Sequence, residues 1–555
     1  MKKISFSLIV IILLIFVRNL NPLDRQMFPF HDETQSARIS EFVYNLVTFN
    51  IPPRIAPHFS FKLGYPVFNF YAPFSYWLTS FITLTGMTVV SSLKLSFLLS
   101  IVGSFIFAYI FFKLYFEEGA AQLGSLLYSS SLFLAVEIFV RGNLGEAWFA
   151  ALFPLALYVL KKNSEAKNNI IFLLCTLVLT GILTTHNLLS LIFVPIALFY
   201  LFLLPGKKRN MASLVLAAAL GAYFFLPFIA EMHFTYAKEI ASYTDYHDHF
   251  LCPLQLWQSS WGYGGSAKGC TEDGMSFMIG KIQLIFLLLG FGAAAVSFLQ
   301  QKEKIYYSLV GFFGTITLVS LFLTTHFSAS IWDKLKPATA VIQFPWRFIP
   351  IATLGIAFFG AYTWHNFCLP YKKGLLLVII TFLTFKNAPY FYHPPVSETE
   401  FLKTYNTNDY IETKVAYRIA EYLPKTANYQ AWRQFDTVKK IPFNYRLPVE
   451  SSPGSYRVIQ NEAFKKTVRF NSPAAAFINI HYLPYWHILL DGREIFPQRL
   501  DMLGRPMLTI TSPATLSLYY QQTPIEQLGN WISLSTLIFL LGLVTYRPLW
   551  NKPRT

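Results

Sequence analysis

The chain has 555 residues, of which 54% are hydrophobic and only 13% are charged, and its mean hydropathy is +0.42. These values exclude an ordinary soluble enzyme and indicate a polytopic α-helical membrane protein. The net charge of +16 does not indicate a nucleic-acid partner, because the lysines and arginines collect in short loops that would face anionic cytoplasmic lipids.

Apolar runs of about 17 to 25 residues, the length that crosses a bilayer, predict about twelve spans. The first, 4–20, follows Met1-Lys2-Lys3 and has no small-residue cleavage site after it, so we interpret it as a retained signal-anchor. The stretch 72–88 is also apolar, but it carries a proline near its start and several serines and threonines. The other predicted spans are 90–112, 119–139, 146–161, 169–185, 187–205, 211–232, 277–298, 305–325, 348–364, 374–388 and 529–546.

The distribution of positive charge decides whether 72–88 crosses the membrane. If it lies on the outer surface as a juxtamembrane or re-entrant helix, the basic pairs at 161–162, 207–208 and 372–373 all face the cytoplasm. If it crosses, those lysines change sides and the positive-inside rule fails. We therefore predict a multi-pass protein of the plasma (inner) membrane, with both termini cytoplasmic and the long first loop, 21–90, on the outer side.

The segment 389–525 differs in kind from the rest of the chain. It is polar, and its stretches 476–484, 486–492 and 515–523 alternate apolar with polar residues between turn signals, which is typical of β-strands. The sequence thus predicts three parts: a transmembrane domain over 1–388, an extracytoplasmic β-rich domain over 389–525 with a helical lead-in, and a last span with a cytoplasmic tail over 526–555.

Cys252 and Cys270 lie in one predicted outer loop, where thiols can oxidise, and we predict a disulfide between them. It would close a loop of about 18 residues, which the chain-entropy account values at about 3 kcal/mol. No spacing of cysteines and histidines in the sequence is typical of a zinc site.

Candidate chemistry concentrates at the outer ends of the predicted spans. Asp32 and Glu33 lie just beyond the first span, where a carboxylate is costly and tends to be functional. Acids and bases at one membrane depth suit a reaction on a phosphate-bearing lipid, in which a carboxylate activates a hydroxyl and arginine holds the phosphate. We predict catalytic roles for Asp32 and Glu146, and substrate binding by Glu33, Arg38, Arg141, His186, Trp261, Tyr263 and Arg347.

These residues also have purely structural explanations. Asp32 could cap a helix, and Glu146 could stabilise the N-terminus of the helix that follows it. Arg347 could do no more than snorkel from the end of a span. Trp261 and Tyr263 fit an interfacial aromatic belt equally well.

Five stretches carry a family resemblance: PPR at 52–54, GYPVFNFYAPFSYW at 64–77, VRGNLGEAWFAALFPLAL at 140–157, THN at 185–187 and QFPWRF at 343–348. The long first outer loop with an acid just past the first span, followed by juxtamembrane helices, many further spans and an outer β domain, resembles the GT-C superfamily of membrane glycosyltransferases. More narrowly, the five stretches resemble the bacterial membrane family labelled 6-pyruvoyl-tetrahydropterin-synthase-related. That label implies a soluble zinc enzyme, and this chain has neither the composition nor the ligands of one.

The GT-C resemblance implies a polyprenyl-phosphate-linked sugar donor and a glycan, lipid or protein acceptor on the extracytoplasmic face. Asp32 matches the first-loop acid of such enzymes, and Glu146 matches a second acid, although it is Glu rather than Asp in RGNLGE. Some relatives use a divalent ion, Mg²⁺ or Mn²⁺, and others do not, so the resemblance leaves the cofactor open.

Two other classes are compatible with the sequence. A transporter or flippase of lipid-linked sugars would also use charged outer loops, but it would place ionisable residues near the bilayer midplane, where the predicted spans are almost free of them. A non-catalytic envelope membrane protein would depend on 389–525 and not on Asp32, Glu146 or Arg347.

Overall fold

The computed structural model describes residues 13–166, 168–241, 245–301, 306–336, 341–367, 371–435 and 443–545. Most of the predicted first span, 4–20, and the predicted tail beyond residue 545 therefore lie outside the described residues.

The described residues contain six helices that are long and apolar enough to cross a membrane, and up to eight if each of two bent pairs is one span. This makes the protein an integral membrane protein with several helical spans. The predicted total of about twelve stays a prediction, since Asn169–Leu183, Asn187–Leu203 and Lys372–Asn387 are shorter. The six long helices are Val89–Phe112, Leu144–Glu165, Lys281–Leu299, Tyr307–Thr324, Pro345–Asn366 and Pro524–Thr545.

The bends in the two pairs have identifiable positions. Glu118–Ser129 and Leu132–Val140 meet at 44°, and the second of them ends in a π-helical turn over Val136–Val140. Lys207–Leu220 and Ala222–Phe234 meet at 64° across Gly221. The first bend thus falls at Ser130 and Ser131, between the two helices, and the second at Gly221, and serine and glycine are common at such kinks.

The stretch 72–88 forms the helix Phe74–Leu84. At about 1.5 Å per residue, eleven residues are far too short to cross a hydrocarbon core of about 30 Å. The remaining short helices are Gln35–Val47, Phe59–Lys62, Val67–Phe70, Ala237–Ala241, Pro253–Trp257, Ala329–Lys334, Glu398–Tyr405, Asn408–Thr413, Val415–Arg418 and Tyr429–Gln434.

Two antiparallel sheets follow the helical lead-in. The four-stranded sheet has the order Val449–Ser451, Ala474–Ile478, Pro506–Ile510, Arg499–Leu500. The five-stranded sheet has the order Tyr456–Asn461, Lys465–Phe470, Ala514–Tyr520, Trp486–Leu490, Arg493–Glu494. Alternate residues of both sheets enter one apolar core, which contains Ile478, Leu508, Val468 and Leu516. A further two-residue pair, Gln26–Met27 with Val396–Ser397, joins the start of the first loop to the start of the lead-in.

The first loop ties the β-rich part to the membrane helices. Arg54 is 2% exposed, and it donates to the carbonyl of Tyr223 at 2.6 Å and to the side chain of Asn530 at 2.8 Å. Ser60 contacts His481 Nε2 at 2.8 Å and accepts a hydrogen bond from Trp432. The loop is thus packed between the spans and the sheets, which fixes the residues on either side of it.

Candidate active site

A cavity of about 560 Å³ lies where the first loop, the ends of several membrane helices and the segment 418–422 meet. Part of its wall is apolar and includes Phe228, Met232 and Ile240. The polar part of the wall is formed by His31, Asp32, Arg38, Arg141, Asn143, His186, Asn187, Gln343, Arg347, Arg418 and Glu421. A cavity of this size with convergent polar groups is the usual form of a small-molecule site.

Asp32 is held at this cavity by the turn that precedes the helix Gln35–Val47. Its side chain is 19% exposed and accepts hydrogen bonds from Arg38 at 2.8 Å, from Gln35 at 2.6 Å and from Thr34 at 3.2 Å. Its backbone N–H donates to the carbonyl of Arg141 at 2.9 Å. The carboxylate is therefore fixed in orientation while its edge faces the cavity.

Arg38 links Asp32 to the aromatic part of the site. Its guanidinium donates to the Tyr76 hydroxyl at 2.9 Å and lies over the Tyr71 ring at 4.5 Å. Burial by itself would lower the pKa of Arg38, but Asp32 and Tyr76 beside it raise that pKa well above its usual value. Arg38 is thus a permanent cation at the cavity wall.

A second network lies directly behind the cavity, around Glu146. The Arg141 guanidinium contacts both Glu137 and Glu146, the latter at 2.9 Å. His186 Nε2 lies 3.4 Å and Arg347 Nε lies 3.8 Å from the same Glu146 carboxylate, which is 1% exposed. Three nitrogen-bearing side chains that line the cavity are therefore positioned by one buried acid.

Local backbone chemistry explains how RGNLGE builds this network. Asn143 caps the helix Leu144–Glu165, because its side chain accepts from the N–H of Glu146 at 3.0 Å. Gly142 has φ of +62°, and a Cβ there would lie 2.2 Å from the Phe30 ring. A Cβ at Gly145 would lie 2.7 Å from the carbonyl oxygen of Thr185, so glycine lets the THN turn approach.

His186 caps the helix Asn187–Leu203 with its Nδ1, which accepts from the N–H of Leu189 at 3.3 Å. That acceptor role places the ring proton on Nε2, which faces Glu146. Burial lowers the pKa of His186 to about 4, Glu146 raises it in part, and Arg347 and Arg141 lower it further. His186 is therefore a neutral donor at neutral pH.

Arg347 reaches the cavity from the turn before the helix Ile349–Asn366. Its NH1 donates to the carbonyl of Ile342 at 2.6 Å and to the Gln343 side chain at 3.2 Å, and its guanidinium lies 4.7 Å from the Phe344 ring centre. Its Nε has no hydrogen-bond partner among the described residues. A buried cation with spare donors at a cavity wall is suited to an anionic ligand.

The cavity brings together five of the nine predicted site residues, Asp32, Arg38, Arg141, His186 and Arg347, with Glu146 immediately behind them. The other three are not among its lining residues. Glu33 pairs with Arg418 at 2.9 Å and accepts from the Tyr410 hydroxyl at 3.0 Å. Trp261 packs against Tyr390, and Tyr263 packs against His393.

Several lining residues were missed by sequence reasoning: Tyr71, Asn143, Glu421 and Tyr422. The first two lie inside the stretches GYPVFNFYAPFSYW and RGNLGE, so those stretches were a usable signal. For Glu421 and Tyr422 the sequence held no such signal, because they lie in a polar segment where an acid or a tyrosine does not stand out.

Cys252 and Cys270 form a disulfide in the structure. It closes the loop that carries Trp261 and Tyr263, and the backbone carbonyl of Tyr263 contacts His31 Nε2 at 2.5 Å. The loop therefore contacts the edge of the cavity through His31.

The donor set does not fit a divalent metal ion. Among the described residues no group of three or more His, Cys, Asp or Glu side chains is placed to hold one. Asp32 is paired with Arg38, and Glu146 with Arg141, so guanidinium groups occupy the positions that a cation would take.

No protein-family model matches the chain, and no curated protein matches it. Among solved structures it is similar to the cryo-EM structure of the arabinofuranosyltransferase AftD from mycobacteria, with 11% sequence identity and a TM-score of 0.45 over 70% of this chain. The chain spans 27% of the length of that protein. A likeness of this size assigns no activity, and the 6-pyruvoyl-tetrahydropterin-synthase-related label gains no support from these comparisons.

Proposed function

We propose that the protein is a membrane glycosyltransferase of the GT-C type, which moves a sugar from a polyprenyl-phosphate donor to an acceptor hydroxyl on the extracytoplasmic face. The observation that carries this proposal is the convergence of Asp32, Arg141, His186 and Arg347 on one cavity at the ends of apolar helices. The apolar wall suits a prenyl chain, and the arginines suit a phosphate.

In the proposed reaction the acceptor oxygen bonds to the anomeric carbon as the bond from that carbon to the phosphate oxygen breaks. The acceptor proton passes to Asp32, and polyprenyl phosphate leaves with the bonding electrons. Arg347 and Arg141 stabilise the negative charge that grows on the leaving phosphate. Attack from the face opposite the phosphate inverts the anomeric centre.

Arg38 and Gln35 act as positioning residues in this mechanism. They hold both oxygens of Asp32, at 2.8 Å and 2.6 Å, so that its accepting edge is oriented before the acceptor arrives. His186 donates from Nε2 without adding a full charge, which leaves the phosphate to the arginines.

The position of the charged groups favours an enzyme over a transporter of lipid-linked sugars. Glu146 lies in the first turn of its helix, His186 is a helix cap, and Arg347 lies just before the helix Ile349–Asn366. A transporter would place its ionisable groups near the middle of its spans. The proposed donor and acceptor therefore meet at the membrane surface.

The test uses the full chain in nanodiscs with radiolabelled polyprenyl-phosphate sugars as donors and a panel of methyl glycosides, alkyl alcohols and hydroxyl-bearing peptides as acceptors. We expect Asp32→Asn to lower the transfer rate at least 100-fold, because it keeps the shape of the side chain and removes the base. Binding of undecaprenyl phosphate, measured separately, should change less than threefold.

The matched control is Asp409→Asn, which alters an exposed acid outside the cavity and should leave the rate within twofold of wild type. Full transfer by the Asp32→Asn protein would remove Asp32 from the mechanism. The proposed function would be overturned by two results together: the wild-type protein transfers sugar with no pair of donor and acceptor, and it binds undecaprenyl phosphate and undecaprenol with equal affinity.

A further inference from the structure

The segment 418–422 contributes a second group of polar side chains to the cavity, which the proposed reaction does not use. Glu421 and Tyr422 line the cavity together with Arg418, and Tyr71 lines it from the first loop. The segment reaches the site because Tyr65 donates to the carbonyl of Ile419 at 2.6 Å, and because Phe70 stacks on Tyr422 at 5.9 Å between ring centres. These contacts bring residues more than 300 positions apart in sequence into one wall.

We propose that Glu421, Tyr422 and Tyr71 form the acceptor subsite, and that the acceptor is a sugar bearing neighbouring free hydroxyls. This inference rests on the proposed function, because it names the second substrate of the same cavity. It assigns a substrate class that neither the sequence resemblance nor the structural likeness specifies.

The hydrogen-bonding capacity of these groups fits a sugar. Among the described residues no side chain forms an ion pair with Glu421, and no partner is found for the Tyr422 hydroxyl. A carboxylate offers two acceptor oxygens, which match two adjacent hydroxyl donors on a pyranose or furanose ring, and a tyrosine hydroxyl both donates and accepts. Asp32 is on the same cavity, so a third hydroxyl can face the proposed base.

The aromatic groups favour the same substrate class. Tyr71 and Tyr422 are in edge contact, with ring centres 6.4 Å apart, and they form an apolar surface with polar tips. A sugar ring has apolar C–H faces and a polar rim, which complements such a surface. An alkyl alcohol carries one hydroxyl only and would leave the half-buried Glu421 carboxylate with fewer hydrogen-bond donors than a sugar supplies.

A polypeptide acceptor fits the cavity less well. Extended peptides normally add to an exposed strand edge, and none of the described residues that line the cavity belongs to a strand. The wall is instead built from helix ends and turns around a concave volume, which is the form of a small-ligand site.

The inference is tested by saturation-transfer NMR on the full chain in nanodiscs, with methyl glycosides of several hexoses and pentoses as probes and propane-1,2-diol as the non-sugar reference. We expect ring-proton signals from at least one glycoside with the wild-type protein, and a loss of at least fivefold with Glu421→Gln and with Tyr422→Phe. The control Glu400→Gln, an exposed acid of the same lead-in segment outside the cavity, should keep the signals.

A second measurement separates this inference from the proposed function. Undecaprenyl phosphate should bind Glu421→Gln as tightly as it binds wild type, and in the transfer assay the acceptor KM should rise at least tenfold while the donor KM stays within twofold. Phosphate binding without any glycoside signal, or glycoside signals unchanged in Glu421→Gln, would overturn the acceptor subsite alone. Absence of lipid-phosphate binding by wild type would overturn the proposed function instead.

Discussion

His186 connects the chemistry of the site to the pH dependence of stability. It is 7% exposed, and burial lowers its pKa to about 4, below its usual value of about 6.5. Between these two values the unfolded chain binds a proton that the folded chain does not. The free energy of unfolding therefore rises with pH across this window. The contribution of His186 to it is lost as the pH falls from 6.5 towards 4.

We expect His186→Asn to weaken this dependence. Asparagine is also a strong helix cap, so the helix Asn187–Leu203 keeps its N-terminal contact, but the titrating group is gone. The full effect of the His186 titration is roughly 3 kcal/mol. The thermal midpoint in nanodiscs is measured at pH 7 and at pH 5 for both proteins. The fall between the two pH values should be smaller in the variant than in wild type by at least roughly 2 °C.

The control for this measurement is His233→Asn, because His233 is exposed and lies outside the cavity. Its thermal midpoint should follow wild type at every pH. Equal losses for wild type and His186→Asn between pH 7 and pH 5 would show that His186 is not the group that titrates.

The site residues differ in how far they could be predicted from the sequence. Arg141, His186 and Arg347 stand out because each is an ionisable group beside a long apolar run, and such contrast is visible without coordinates. Asp32 was predicted to be catalytic and Glu33 to bind substrate, but where their carboxylates point could not be predicted, because it is the turn before Gln35–Val47 that sends one to the cavity and the other to Arg418. Glu421 lacked any contrast with its neighbours in the sequence.

At the scale of elements, Asn143 is the residue through which a helix terminus controls the site. Its side chain accepts from the N–H of Glu146 at 3.0 Å, and its amide donates to the Glu146 carboxylate at 3.3 Å. We expect Asn143→Ala to cost about 1 kcal/mol of stability through the lost cap. It should also lower transfer at least tenfold, because Glu146 positions Arg141 and His186.

Asn168→Ala provides a matched comparison. Asn168 caps the helix Asn169–Leu183 by accepting from the N–H of Ile170 at 2.8 Å, and it does not line the cavity. The same substitution there should lower the thermal midpoint by a similar amount and leave transfer within twofold. If both variants lose the same fraction of activity, the effect of Asn143 is on stability alone.

The elements themselves were largely predictable where apolar length decides them. The spans predicted at 90–112 and 529–546 correspond to Val89–Phe112 and Pro524–Thr545. The strand predicted at 476–484 was too long, because the structure ends it at Ile478. Beyond that point the backbone leaves the sheet, and the N–H of His481 donates to the carbonyl of Leu63, a partner that no local pattern reveals.

At the scale of the whole molecule, the first loop contacts both the membrane helices and the β-rich part and so links their arrangement. It contributes Asp32 and Arg38 to the cavity, it contacts the last span through Arg54, and it contacts the β-rich part through Ser60. Five other stretches of the chain, 141–143, 186–188, 228–240, 341–347 and 418–422, meet this loop at the cavity. Such long-range convergence cannot be derived from local periodicity, which reports on single elements.

The proposed reaction requires this convergence to lie on the extracytoplasmic side, and cysteine labelling tests that orientation. In a Cys368→Ser background, Cys175 is buried and Cys252 and Cys270 are joined, so a single introduced thiol can be followed.

We expect Glu272→Cys and Glu400→Cys to react with a membrane-impermeant maleimide in intact spheroplasts. Lys208→Cys and Lys373→Cys should react only after permeabilisation, because the positive-inside rule assigns them to the cytoplasm. All four are exposed, so access to the reagent and not burial decides the outcome. The reverse labelling pattern would place Asp32 and its cavity in the cytoplasm and exclude an extracytoplasmic transfer reaction.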